Sequence, residues 1–183
     1  MTWSAVYVVL VLALFVRFDD GTAAARRARA PEAGEWPRLV AVHHGLFYAL
    51  LLVVAPAEAL LVGGASQGRL AGAVAFAMGV ALYRRGAVVL GTALSPLVSP
   101  HPQGRLVTDG PYRFVRHPIY LGQLLIAVGA PLTLGCRYAL AVSCAAAVVL
   151  FVRARFEEDA LARAYPEYRG YAARTWRLVP FVF

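Results

Sequence analysis

Hydrophobic positions along this chain gather into five long runs, at residues 1–18, 39–62, 70–90, 119–135 and 137–152. Such runs predict membrane-spanning helices, because about 20 apolar residues cover the roughly 30 Å of a bilayer's hydrocarbon. The first run, MTWSAVYVVLVLALFVRF, has no basic segment before it and no clean small-residue cleavage site after it. It therefore reads as a retained helix and not as a signal peptide. The third run carries Arg84 and Arg85 in its last turns, where long side chains can reach the interface. The fourth and fifth are shorter and are separated only by Gly135, Cys136 and Arg137, which predicts a tight helical hairpin. The expected fold class is an all-α integral membrane protein with about five transmembrane helices. A single domain spans 1–183, with the first three helices in 1–83 and the chemistry in 84–183.

Composition supports this reading. Hydrophobic residues make up 60% of the chain and charged residues 15%, whereas a soluble domain carries about a quarter charged residues. A net charge of +8 raises the possibility of nucleic acid, but the arginines flank apolar runs and form no basic face, so no nucleic-acid partner is expected. Every basic residue is arginine, and alanine is abundant, as in a GC-rich bacterial coding sequence. Arg17, Arg26, Arg27, Arg29, Arg38, Arg84, Arg85, Arg105, Arg113, Arg116 and six arginines from Arg153 onward fall on one side of the five runs. Only Arg69 and Arg137 fall on the other. The positive-inside rule then places the tail in the cytoplasm and the N-terminus outside the bacterial inner membrane. Cys136 and Cys144 offer neither a disulfide framework nor metal-ligand spacing, so they read as packing residues and no metal site is expected.

Charge is concentrated at one doorstep. The segment SPLVSPHPQGRLVTDGP carries prolines at 96, 100, 102 and 111, which exclude a continuous helix. It leads into GPYRFVRHPIYLG, where Thr108 and Asp109 can cap and Pro118 suits a first helical turn, so the fourth helix should begin near His117. A helix start with Arg113, Arg116 and His117 favours an anion at the membrane surface, whether a ligand's carboxylate or phosphate or a lipid headgroup. The fifth run continues as FVRARFEEDALARAY, which puts Arg153 and Glu157 on one helix face. Glu158 and Asp159, on neighbouring faces, read as salt-bridged solvated surface. The tail YPEYRGYAARTWRLVPFVF mixes arginines with aromatic residues, as a segment lying along headgroups would.

These stretches together, GPYRFVRHPIYLG, VRARFEE and YPEYRGYAARTWRLVP, resemble the isoprenylcysteine carboxyl methyltransferase family, which is similar to the membrane phospholipid methyltransferases. The resemblance covers roughly residues 84–183. It implies an S-adenosyl-L-methionine site at the cytoplasmic ends of the last two helices, completed by the 3–4 connection and the tail. By the same resemblance, Gly104, Arg105, Leu106 and Val107 line the cofactor, with Tyr112, Arg116, His117, Pro118, Ile119 and Tyr120 beside it. Glu157 and Glu158, the double-glutamate element, are both cofactor-binding, with Glu157 the acid that holds the cofactor, and Arg153 is the catalytic residue that meets the substrate. The family often has a histidine before the Leu-Val pair. Here Gly104 and Arg105 stand there, with His101 three residues upstream.

The implied reaction is methyl transfer to a lipophilic, membrane-partitioned small acceptor, a carboxylate or hydroxyl in preference to an amine, with membrane lipids as surroundings. A carboxylate needs no base. A phenol or amine would need one, for which His101, His117 and Glu158 are candidates. His43 and His44 could line the acceptor pocket, while Glu58, beside Pro56, reads as structural. Two other classes share the outline: an NADPH-dependent reductase of the steroid-reductase type, and a non-enzymatic membrane subunit. The pairing of Arg-His-Pro with Glu-Glu favours the methyl donor.

Overall fold

The computed structural model describes residues 45–47, 49–62, 67–91 and 105–180. The expected first helix, His43, His44, His101 and Gly104 lie outside these residues. Among the described residues, all regular structure is helical. A π-helical turn, Leu50–Val54, runs into α1, Ala55–Leu61, and is followed by α2, Arg69–Leu90. A 3-10 turn, Gly110–Arg113, precedes α3, Pro118–Leu134; then come α4, Arg137–Ala164, and the short α5, Tyr168–Ala172.

Helices α2 and α4 are long and apolar enough to cross a membrane, with mean hydropathies of 1.5 and 1.9 over their most apolar stretches. Only 11% and 33% of those stretches are buried within the protein. A core helix of a soluble domain would bury most of such a surface, so these outward apolar faces suit lipid. Helix α3 and the stretch Gly45–Leu61 are apolar but shorter.

Local chemistry sets the ends of these helices. Pro118 opens α3 at a position where its missing N–H is no loss, and His117 stands just before it. Gly135 closes the helix with φ of 76°; its N–H bonds Leu132 and the following Cys136 N–H reaches back to Pro131. Helix α4 begins immediately afterwards, which makes the hairpin expected from the short connection. No side chain of its own caps α4. Instead Glu58 of α1, itself buried, accepts the N–H groups of Tyr138 at 3.0 Å and Ala139 at 2.8 Å, a carboxylate at the positive end of the helix. Glu58 is thus structural, and buried Cys136 packs beside it with its thiol 3.3 Å from the Ala55 carbonyl.

A seam of glycines joins α2 to α3, and nothing in the apolar-run pattern draws attention to it. Gly72, Gly79 and Gly86 recur at seven-residue spacing on α2 and are buried; Gly122 and Gly129 do the same on α3. A Cβ on Gly129 would lie 2.5 Å from the Phe76 backbone nitrogen, and one on Gly79 would lie 2.7 Å from the Gly122 carbonyl. The backbones therefore touch without side chains between them, which is how helices pack when lipid offers no hydrophobic drive. Gly86 meets Ile119 in the first turn of α3, so the seam fixes where that turn sits.

Gly129→Ala should therefore lower the unfolding midpoint in a detergent or thermal titration, with an overpacking cost of about 1–3 kcal/mol. Gly170→Ala, where a Cβ meets nothing within 4 Å, is the matched control and should leave the midpoint in place.

Candidate active site

The two predicted motifs meet where α3 begins and α4 leaves its apolar stretch. The chain after α5 turns back to join them. Trp176 N–H bonds the Phe114 carbonyl at 2.9 Å, Arg116 N–H bonds Trp176 at 2.7 Å, and His117 N–H bonds Arg177 at 3.2 Å. This stitching, with a parallel bridge between Val115 and Trp176, places the start of the tail against the Arg-His-Pro segment instead of loose along headgroups.

Side chains tighten the same junction. Glu158 is only 8% exposed, so the solvated-surface reading of this residue is corrected. One of its oxygens accepts Arg116 Nε at 2.7 Å; the other accepts Arg177 Nε at 2.8 Å and lies 2.7 Å from a terminal nitrogen of the same guanidinium. Arg116 also donates to the carbonyls of Ala172, at 2.7 Å, and Thr175. A buried carboxylate needs such partners, because removing it from water costs several kcal/mol. Asp159, next along the helix, stays exposed as expected.

The second group is centred on Tyr120. Its hydroxyl donates to Glu157, its ring stacks on His117 with centroids 5.2 Å apart, and the Arg153 guanidinium lies 5.2 Å from its centroid. Arg153 is buried and Glu157 half-buried. His117 lies between the two acids, with Nδ1 3.9 Å from Glu157 and Nε2 3.4 Å from Glu158. Arg153, Glu157, Tyr120 and His117 therefore offer, in one place, a cation, a partly open carboxylate, an aromatic ring and an imidazole.

The remaining residues expected at the site have supporting positions. Pro118 and Ile119 are buried in the first turn of α3. Tyr112 is buried in the 3-10 turn with its hydroxyl 3.5 Å from the Gly86 carbonyl, and its own carbonyl accepts the Tyr171 hydroxyl at 2.7 Å. Burial raises the pKa of the Tyr112 hydroxyl, with Glu157 adding to the effect, and pushes that of Tyr171 up to about 12, so both stay neutral donors. Arg105 is exposed, and Leu106 and Val107 are half-buried in an irregular approach to the turn. A shallow groove on α2, lined by Ala81, Arg84, Arg85, Val88 and Val89, involves none of the residues of either group.

Sequence reasoning missed Arg177, which it counted only as a tail charge, and the tail carbonyls held by Arg116. No local signal in the sequence singled out Arg177, because its partner Glu158 lies 19 residues away.

Comparison with known proteins decides the family. The phospholipid methyltransferase family matches residues 68–168, more than half of the 183 residues. The chain belongs to that family. The match starts ahead of the region where the motifs resemble known methyltransferases, taking in all of α2 and its glycines, and it ends at Tyr168. The chain is also 34% identical over 84 residues to the cobalt-zinc-cadmium resistance protein CzcN of Cupriavidus metallidurans. That alignment spans 45% of this chain and 39% of the relative's length.

The geometry separates the two glutamates of this family member. Glu158→Gln should lower stability by about 3 kcal/mol, because it leaves two arginines facing a neutral amide in a buried junction. Glu157→Gln, at a half-buried position, should stay within about 1 kcal/mol of wild type. Denaturation midpoints of the two purified variants check the contrast.

Proposed function

We propose that this phospholipid methyltransferase family member transfers a methyl group from S-adenosyl-L-methionine to the polar end of a lipophilic acceptor, at the cytoplasmic face of a bacterial membrane. The observation that carries the reading is the convergence of Arg153, Glu157, Tyr120 and His117 where the apolar helices end.

The residues present fit the cofactor's chemistry. Glu157 is a partly open carboxylate, suited to an ammonium group or to ribose hydroxyls. Tyr120 and Tyr112 supply aromatic surroundings that favour a sulfonium cation. When bound, the cofactor supplies an electrophilic methyl group. Arg116 is engaged by Glu158 and the tail carbonyls, so its proposed part is to hold His117 and the α3 start in position. In-line displacement demands alignment above all, so positioning supplies most of the catalysis. Arg153 lies one turn, about 6 Å, nearer the apolar stretch than Glu157 and orients the acceptor's anionic group. A carboxylate acceptor then needs no base; for a hydroxyl, the His117 imidazole within this cluster is the candidate proton acceptor.

In detergent, S-adenosylhomocysteine should raise the Tm of the purified protein and NADPH should not; the reverse result would favour a reductase. Glu157→Gln should weaken S-adenosylhomocysteine binding about ten- to a hundredfold, the worth of a charge-assisted hydrogen bond at roughly 1.5–3 kcal/mol. Arg153→Ala should keep that binding within a few-fold yet lose most transfer to an acceptor found in a lipid extract. Arg153→Lys should restore only part, since an ammonium lacks the planar two-point grip.

A further inference from the structure

The tail pattern Tyr168-x-x-Tyr171-x-x-Arg174-Thr175 has an internal logic with one member left over. Tyr171 donates its hydroxyl to the Tyr112 carbonyl at 2.7 Å. Thr175 donates to the Tyr171 carbonyl at 2.8 Å, and Arg174 Nε to the Gly170 carbonyl at 3.1 Å. Tyr168 is 4% exposed, its ring meets Tyr171 edge-on at 5.9 Å, and its hydroxyl has no hydrogen-bond partner among the described residues.

A buried hydroxyl without a partner loses its water and gains nothing, a cost that a phenylalanine would avoid. Packing thus explains the ring but not the oxygen. Contacts tie its helix to the candidate site: the neighbouring Tyr171 bonds the Tyr112 carbonyl, and Arg116, partner of Glu158, bonds the carbonyls of Ala172 and Thr175. Burial, and after it Glu158, raises its pKa, so it stays protonated and can both donate and accept.

We infer that the Tyr168 hydroxyl is a hydrogen-bonding contact for the neutral polar part of the bound methyl donor, its ribose or base, complementary to Glu157 at the charged end. The inference rests on the methyl-donor reading above. It adds a cofactor contact from the tail, so that α3, α4 and the tail each contribute to one ligand. The tail is then part of the site and not only a strap across it.

Tyr168→Phe tests this through two readouts, the Tm of the ligand-free protein and S-adenosylhomocysteine affinity by calorimetry. The ligand-free Tm should equal or exceed that of wild type, because no hydrogen bond is lost, while the affinity should fall about tenfold. Unchanged affinity would overturn the inference and leave the hydroxyl to a trapped water. A marked drop in the ligand-free Tm, or a variant that does not fold, would also overturn it, by showing a structural partner. Wild-type protein that binds no S-adenosylhomocysteine would instead defeat the methyl-donor reading itself, which keeps the two failures distinct.

Discussion

Glu158 is a carboxylate taken out of water at the point where three parts of the chain converge. It can be held there only by charges brought from elsewhere, and the two that reach it lie 42 residues before it and 19 residues after it, on Arg116 and Arg177. Because each guanidinium sits on a different segment, satisfying this one acid fixes the entry to α3 and the path of the tail against α4. The carbonyls of Ala172 and Thr175 extend the same constraint to the end of α5. The cations that looked like a docking place for an anion are in part the protein's own internal neutralisation.

The second constraint is the glycine seam. Close contact of α2 and α3 sets the height of the first turn of α3, and with it the depth at which Tyr120 and His117 stand. Helix α4 then needs only the correct rotation to bring Arg153 and Glu157, one turn apart, onto the Tyr120 ring and hydroxyl. Successive residues on a helix are about 100° apart, so the same rotation that opens Glu157 turns Glu158 inward. Adjacent and chemically identical acids thereby take different places, Glu158 buried between two arginines and Glu157 half-open beside the Tyr120 hydroxyl.

Much of this was legible in the residues. Apolar length with the prolines and Gly135 placed α2, α3 and α4 and their hairpin, because these signals are local and strong. Helical spacing put Arg153 and Glu157 on one face. Periodicity could not tell which neighbouring face becomes buried once α4 leaves its apolar stretch, since that depends on what packs against it from 19 residues away. For the same reason Arg177 and Tyr168 read as tail composition. The seam escaped notice because glycine contributes little to an apolar run, although its seven-residue recurrence, 72, 79, 86 and 122, 129, was visible throughout.

Amide hydrogen exchange in a Glu158→Ala variant addresses the central constraint most directly. The N–H groups of Trp176 and Arg116 pair the tail with the Arg-His-Pro segment directly beside the Glu158 junction. Losing a buried ion pair worth about 3 kcal/mol should speed exchange at these two amides about a hundredfold, while amides along the α2–α3 seam keep their wild-type protection. Unchanged exchange at Trp176 and Arg116 would show that the tail is held by something other than the Glu158 carboxylate, and would contradict its place as the anchor of the site.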